Sequence, residues 1–186
     1  LIAYQTAYLK TYHKEDFIAA TMSTELTNTS KLREFVEELK RLNIEIIRPS
    51  INKSFAEFKA IDGKLFYGLG AIKNVGFEAV SNIVKEREKN GKFKTFVNFI
   101  HRVDIKDVNK LQLEGFVKAG VFDEFDKDRN KILSSIPKII QQIKNINDDK
   151  NSHQTNLFEQ QENIKENFDF LPYKPWKQKE LLTEEF

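Results

Sequence analysis

The stretch LGAIKNVGFEAVSNIVKEREKNG, residues 69–91, constrains the fold more than any other part of the sequence. Val80, Ile83 and Val84 recur at helical spacing, which predicts a helix from Phe77 to about Lys89 with one apolar side. LGAIK reads as a short helical piece before it, and only Asn74, Val75 and Gly76 separate the two. The chain must therefore reverse within a few residues. Asn tolerates positive φ better than other non-glycine residues, and glycine adopts it freely, so such a turn is open to this sequence.

Two helices joined by so tight a turn have the layout of a helix-hairpin-helix. Its physics is anion capture: the hairpin amides and the positive end of the second helix point at one phosphate, and a nearby lysine neutralises charge. Lys73 is placed to be that lysine, Asn74 to hold the turn, and the amides around Val75 and Gly76 to be the donors. A plain glycine-containing helix connection would use the same residues, so both readings stay open.

A second unit follows in VDIKDVNKLQLEGFVKAGVFDEFDKDRNKILSSIPKII. Val108, Leu111, Leu113, Phe116 and Val117 predict one helix, AGVFD a turn, and Asp128 to Ile140 another helix. Here the turn presents Asp123 and then Glu124, which would repel a phosphate. The second hairpin reads as mainly architectural.

Upstream, residues 1–22 predict a helix with Tyr4, Ala7, Tyr8, Phe17 and Ile18 on one face. TNTSKLREFVEELKRLNI predicts another, capped at Ser30, with a stripe of Leu32, Phe35, Val36, Leu39 and Leu42. IEII is a short strand stopped by Pro49, and apolar residues on both sides of Asp62-Gly63 predict a β-hairpin with a type I′ turn.

Charge separates the same regions. Residues 68–144 hold 15 basic and 10 acidic side chains, and residues 145–186 hold 5 and 9. The basic middle is compatible with a polyanionic partner, although solvated helices often carry such an excess. No apolar run approaches the roughly 18 residues that span a bilayer, so no membrane partner is expected. The absence of cysteine excludes disulfides and thiolate chemistry, and His13, His101 and His153 lack ligand spacing. The start at Leu1 shows neither an initiator Met nor a secretory signal, so it reads as the interior of a longer, cytoplasmic protein. The acidic pairs Glu15-Asp16, Glu37-Glu38 and Asp148-Asp149 read as solvated faces, not metal sites.

AYQTAYLKTYHKEDFIAATMS, LNIEIIRPSINKSFAEF, FYGLGAIKNVGFEAV and RVDIKDVNKLQLEGFVKAGVFDEF together resemble consecutive blocks of the bacterial replicative DNA polymerase III alpha-subunit family. The resemblance covers nearly the whole chain in the right order. It implies a mainly α fold: residues 1–66 as the end of the fingers domain with a small β-hairpin, 67–144 as a tandem helix-hairpin-helix that holds duplex DNA, and 145–186 as a largely disordered linker. It implies template-directed DNA synthesis by the full-length protein, a primer-template and other replicase subunits as partners, and Mg²⁺ ions held by palm aspartates outside this chain, which itself supplies no catalytic or metal-binding residue. In the same way it puts Tyr4, Gln5, Tyr8, Lys10 and His13 near the pocket for the incoming nucleotide, though simple packing and solvation account for those residues equally well. A non-catalytic DNA-binding and clamp-tethering relative remains the alternative.

The polar segment KNINDDKNSHQTNLFEQQENIKENFD has few apolar residues to support a core. Within it, Gln154-Thr155-Asn156-Leu157-Phe158 matches Gln-x-x-(Leu/Met)-Phe, which resembles the sliding-clamp-binding peptide of replication proteins. Leu157 and Phe158 would fill an apolar pocket while the Gln154 amide fixes the register by hydrogen bonds. Stronger versions carry Leu where this chain has Thr155, so the expected intrinsic affinity is modest. In the last stretch, Trp176 between Pro175 and Lys177 is expected to dock the linker on its neighbour.

Overall fold

In the computed structural model, described over residues 1–104, 107–151, 170–176 and 180, the chain is mainly helical with one three-stranded sheet. The expected amino-terminal helix is two: α1 (Ile2–Tyr12) and α2 (Lys14–Thr24), broken at His13 with φ −136° and ψ 53°. Thr11, Tyr12 and His13 are weak helix formers, and Thr11 spends its hydroxyl on the Ala7 carbonyl at 2.8 Å. Glu15 and Asp16 then fall in the first turn of α2, where the exposed amides favour acids. Only α2 joins a core, through Ile18, Ala19 and Met22.

Helix α3 (Thr29–Arg41) is capped by Asn28, whose side chain accepts from the Lys31 amide at 3.2 Å, and not by Ser30. Asn28 lies where the backbone is still non-helical, with φ −97° and ψ 84°, while Ser30 is already inside the helix. Leu32 and Leu39 are buried, Phe35 and Val36 pack partly, and Leu42 stays outside. Strands β1 (Ile46–Ile47), β2 (Lys59–Ile61) and β3 (Lys64–Phe66) form a sheet in the order β1-β3-β2. β2 and β3 are the expected antiparallel hairpin, and Asp62 and Gly63 take φ of 52° and 72°, as a type I′ turn requires. β1 runs parallel to β3, and this sheet closes on α2 and α3 around Met22, Leu39, Phe58 and Leu65.

A second, larger core is shared by α4 (Phe77–Asn90), α5 (Phe96–Arg102), α6 (Lys110–Lys118) and α7 (Arg129–Asn151). Its centre is aromatic. Phe122 lies 5.0 Å from Phe96, 5.1 Å from Phe99 and 6.0 Å from Phe116, ring centre to ring centre. Arg87 of α4 is buried and donates to the carbonyls of Ile51 and Ser54 at 2.8 and 2.7 Å, which ties the segment after β1 to this core. Burial pulls its pKa below the ordinary arginine value, and the two carbonyls take up the charge's donors. Asn52 reinforces the tie by exchanging two hydrogen bonds with the Phe93 backbone, both 2.8 Å.

α7 runs beyond the expected Ile140 through Asn151, into the segment expected as linker, and carries Pro137 within it. Downstream, the chain returns to the first turns of α7. Ser135, fully buried, accepts from the Leu171 amide at 2.9 Å, and the Lys131 ammonium sits 4.5 Å from the Phe170 ring centre. Phe170 and Leu171 thus make the docking expected of Trp176, which is only half-buried.

Candidate nucleic-acid interface

The 3-10 turn Leu69–Ala71 leads into Ile72, which is extended, and the Val75 amide closes the reversal on the Ile72 carbonyl at 3.1 Å. Asn74 sits at φ 66°, the left-handed conformation that its short amide side chain tolerates. Gly76 follows as the N-cap of α4 with φ −77° and ψ 135°, and no side chain caps the helix. The Phe77, Glu78 and Ala79 amides at the start of α4 therefore have no N-cap side chain to accept from them. Lys73, Asn74 and Gly76 are exposed and Val75 is half-buried, so the four expected binding residues share one tip. Glu78 is the carboxylate nearest this tip along the helix.

What holds the tip is α6, from the other unit. A Cβ on Gly115 would lie 2.7 Å from the Lys73 carbonyl oxygen and 3.3 Å from Val75 Cγ2, so α6 meets the hairpin backbone only because residue 115 is glycine. One turn earlier, Asn109 caps α6 in a reciprocal box: its side chain accepts from the Gln112 amide at 3.0 Å, and the Gln112 side-chain oxygen accepts from the Asn109 amide at 2.9 Å. With its oxygen committed, Gln112 presents Nε2 to the hairpin, 3.4 Å from where a Cβ on Gly76 would stand. Neither Gly115 nor Gln112 figured in the sequence reading, although Asn-x-x-Gln was a legible capping signature.

The second hairpin is built differently. Leu111 points out, Val108 is buried ahead of α6, and the turn after α6 places Gly120 at φ 75°. Arg129, 5% exposed, fills the space over that glycine. It donates to both Asp123 oxygens at 2.8 and 2.6 Å and to the Lys118 carbonyl at 2.9 Å. Glu124 accepts from the side chains of Ser50 and Asn52. Both acids of this turn are engaged by donors from the same chain.

The nucleotide-pocket candidates lie on or beside α1. Tyr4 is 74% exposed, Tyr8 lies tilted against Tyr12 at 4.7 Å between ring centres, and α1 buries no residue. Of the acidic pairs, Glu37 faces Lys40 at 2.8 Å on the surface, and the hydrogen bond from Lys40 holds its carboxyl below the usual value. Gln154, Leu157 and Phe158 fall outside the described residues.

A family profile described as a helix-hairpin-helix motif matches residues 43–132. Among individual proteins, the DNA polymerase III subunit alpha of Borreliella burgdorferi is 41% identical over 185 residues, 98% of this chain and 16% of that protein. The protein of the same name from Campylobacter jejuni is 38% identical over 166 residues, 87% of this chain and 14% of that protein. That of Thermus aquaticus is 38% identical over 140 residues, 75% of this chain and 11% of that protein. The motif profile falls on the segment that builds the exposed tip and its support. The chain is a homologue of the DNA polymerase III alpha subunits, and spans about one sixth of their length.

Proposed function

We propose that this chain is the duplex-holding and clamp-tethering segment of a replicative DNA polymerase. The observation that carries the reading is the tip at residues 73–76: a lysine, a closed turn and an uncapped helix start on one exposed surface of a basic region. That combination receives one backbone phosphate without reading a base, which suits a part that must slide along any sequence. Replacing Lys73 with Ala should weaken binding of a primer-template duplex roughly tenfold at low salt. It should also reduce the slope of log affinity against log salt by about 0.9. Unchanged affinity and slope would make the first hairpin a structural element only.

Residues 1–66 would form the end of the fingers, and Gln154, Leu157 and Phe158 the peptide that docks on the sliding clamp. A duplex grip and a clamp peptide on one chain reinforce each other through effective concentration, so modest peptide affinity suffices for processive synthesis. Changing Leu157 and Phe158 to Ala in the peptide should abolish its binding to the clamp, and retained binding would remove that assignment. The whole protein, acting in the cytoplasm with other replicase subunits, would catalyse template-directed nucleotidyl transfer with Mg²⁺. On this reading the ions would be held by palm aspartates outside this chain.

A further inference from the structure

Gln112 carries a buried donor that the fold does not use. The residue is 6% exposed, its side-chain oxygen is fixed by the Asn109 amide, and among the described residues its Nε2 meets no acceptor. Leaving such a donor unsatisfied is costly, so an idle buried amide asks for an acceptor from outside. The position of that amide says which acceptor. Nε2 is held against Gly76, the N-cap of α4, where the first amides of the helix also lack a side-chain acceptor. These groups are all donors, and a phosphate oxygen is the acceptor they have in common.

We infer that Gln112 donates from its side-chain amide to the same DNA phosphate that the start of α4 receives. This rests on the reading of the first hairpin as a phosphate grip and extends it. The site is not the property of one hairpin: α6, from the second unit, supplies a donor, and the capping box at its start sets that donor's direction. Glu78 is the acidic residue in the first turn of α4.

The test is Gln112→Glu in the full-length protein. Glutamate keeps the capping oxygen for the Asn109 amide and exchanges only the donor for a second carboxylate oxygen. Beside the positive end of α4 that oxygen has a favourable place, so the thermal midpoint should hold or rise. A labelled blunt DNA duplex should bind roughly tenfold or more weakly, with the salt slope reduced by about 0.9 as one phosphate is displaced. Gln112→Met removes the donor without adding charge and should weaken binding by a smaller factor.

Wild-type affinity and slope in Gln112→Glu, with its thermal midpoint intact, would overturn the inference. If that variant unfolds, Gln112→Met decides: unchanged duplex affinity overturns the inference, and a loss with a normal thermal midpoint supports it. Lys73→Ala separates the two readings. A loss of affinity there with none in the Gln112 variants leaves the phosphate grip standing without Gln112. No loss in any variant removes both.

Discussion

The two hairpins of this molecule solve the same backbone problem and leave their polar groups in opposite states. In the first, the reversal is carried by Asn74 at φ 66°, and the helix that follows starts without a side-chain cap on an exposed tip. In the second, the reversal is carried by Gly120 at φ 75°, and Arg129 closes the turn by binding Asp123 and the Lys118 carbonyl. One turn leaves its donors without side-chain acceptors, while the other consumes its acceptors internally. On the proposed reading one unit is the grip and the other its mount, and Gly115 and Gln112 are the points where the two units touch.

The largest effect should come from opening the second hairpin. Arg129→Met leaves Asp123 and the Lys118 carbonyl without the guanidinium that satisfies them, and should cost about 3–5 kcal/mol of stability in chemical denaturation. Arg129→Lys should recover only part of this, because an ammonium lacks the fork that reaches both carboxylate oxygens and the carbonyl. At temperatures where the Lys variant is folded, its duplex affinity should match wild type. A large loss of affinity there would mean that the second turn also grips DNA, and would break the division of labour.

Next in size is the joint between the units. In Gly115→Ala the new methyl would stand 2.7 Å from the Lys73 carbonyl oxygen, a backbone atom that can give way only by shifting the hairpin. Alanine is the better helix former by roughly 1 kcal/mol, so the strain must exceed that gain to show. A net loss of about 1–2 kcal/mol is expected, together with weaker duplex binding, because the displaced carbonyl belongs to the lysine of the grip. Stability without loss would show that α6 and the hairpin do not press on each other.

What the sequence showed of this comparison follows from what is local and what is not. The turn residues Asn74 and Asp62-Gly63 were legible because positive φ is demanded by the backbone itself. That the second turn presents two acids, Asp123 and Glu124, was legible, and with it the expectation that this turn does not suit a phosphate. Their partners, Arg129, Ser50 and Asn52, were not, because only the closed fold brings residue 50 to residue 124. Helix α5 was missed although Thr95 caps it and Phe96, Phe99 and Ile100 repeat at helical spacing, a pattern of barely two turns. The break at His13 and the cap at Asn28 turned on small differences in propensity among neighbours. Gly115 reads in sequence as a flaw in a helix, and only the carbonyl above it explains the absence of a side chain.

A smaller effect should come from the first turn itself. Asn74→Ala forces a residue without a local hydrogen-bonding side chain into the left-handed region, at a cost of about 1 kcal/mol. Asn74→Gly should be neutral within about 0.5 kcal/mol, as relief of strain is offset by the greater freedom of the unfolded chain. Equal losses in both variants would mean that the Asn74 side chain is needed for something other than φ. Duplex affinity at a temperature where both are folded is the sharper measurement, since the amides of the grip depend on the turn and not on the side chain at its apex.

The smallest effect distinguishes the hairpins by pH. Beyond the second turn Asp126 faces Lys131 at 2.7 Å. Partial burial pushes the Asp126 carboxyl up, but hydrogen bonds from Lys131 and the Asp128 amide outweigh it and hold the group below its ordinary value. A carboxylate depressed in the folded state adds stability that is fully present above its unfolded value of about 4, and that is lost as pH falls through the lower folded value. Lys131 is shifted the other way, chiefly by its bond to Asp126, so its contribution is present below the unfolded lysine value and fades only as pH rises through the higher folded one. Between those limits the pair is flat with pH. Asp126→Asn should therefore lower stability near neutral pH by under about 1 kcal/mol, the range for a part-exposed pair. Denaturation midpoints of the two proteins should converge below about pH 4, as the wild-type carboxylate is protonated. Among the described residues, Lys73 on the first turn has no carboxylate partner of this kind. Parallel acid limbs for Asp126→Asn would mean that Asp126 and Lys131 do not hold each other in solution, and that the second turn rests on Arg129 and on the donors to Glu124.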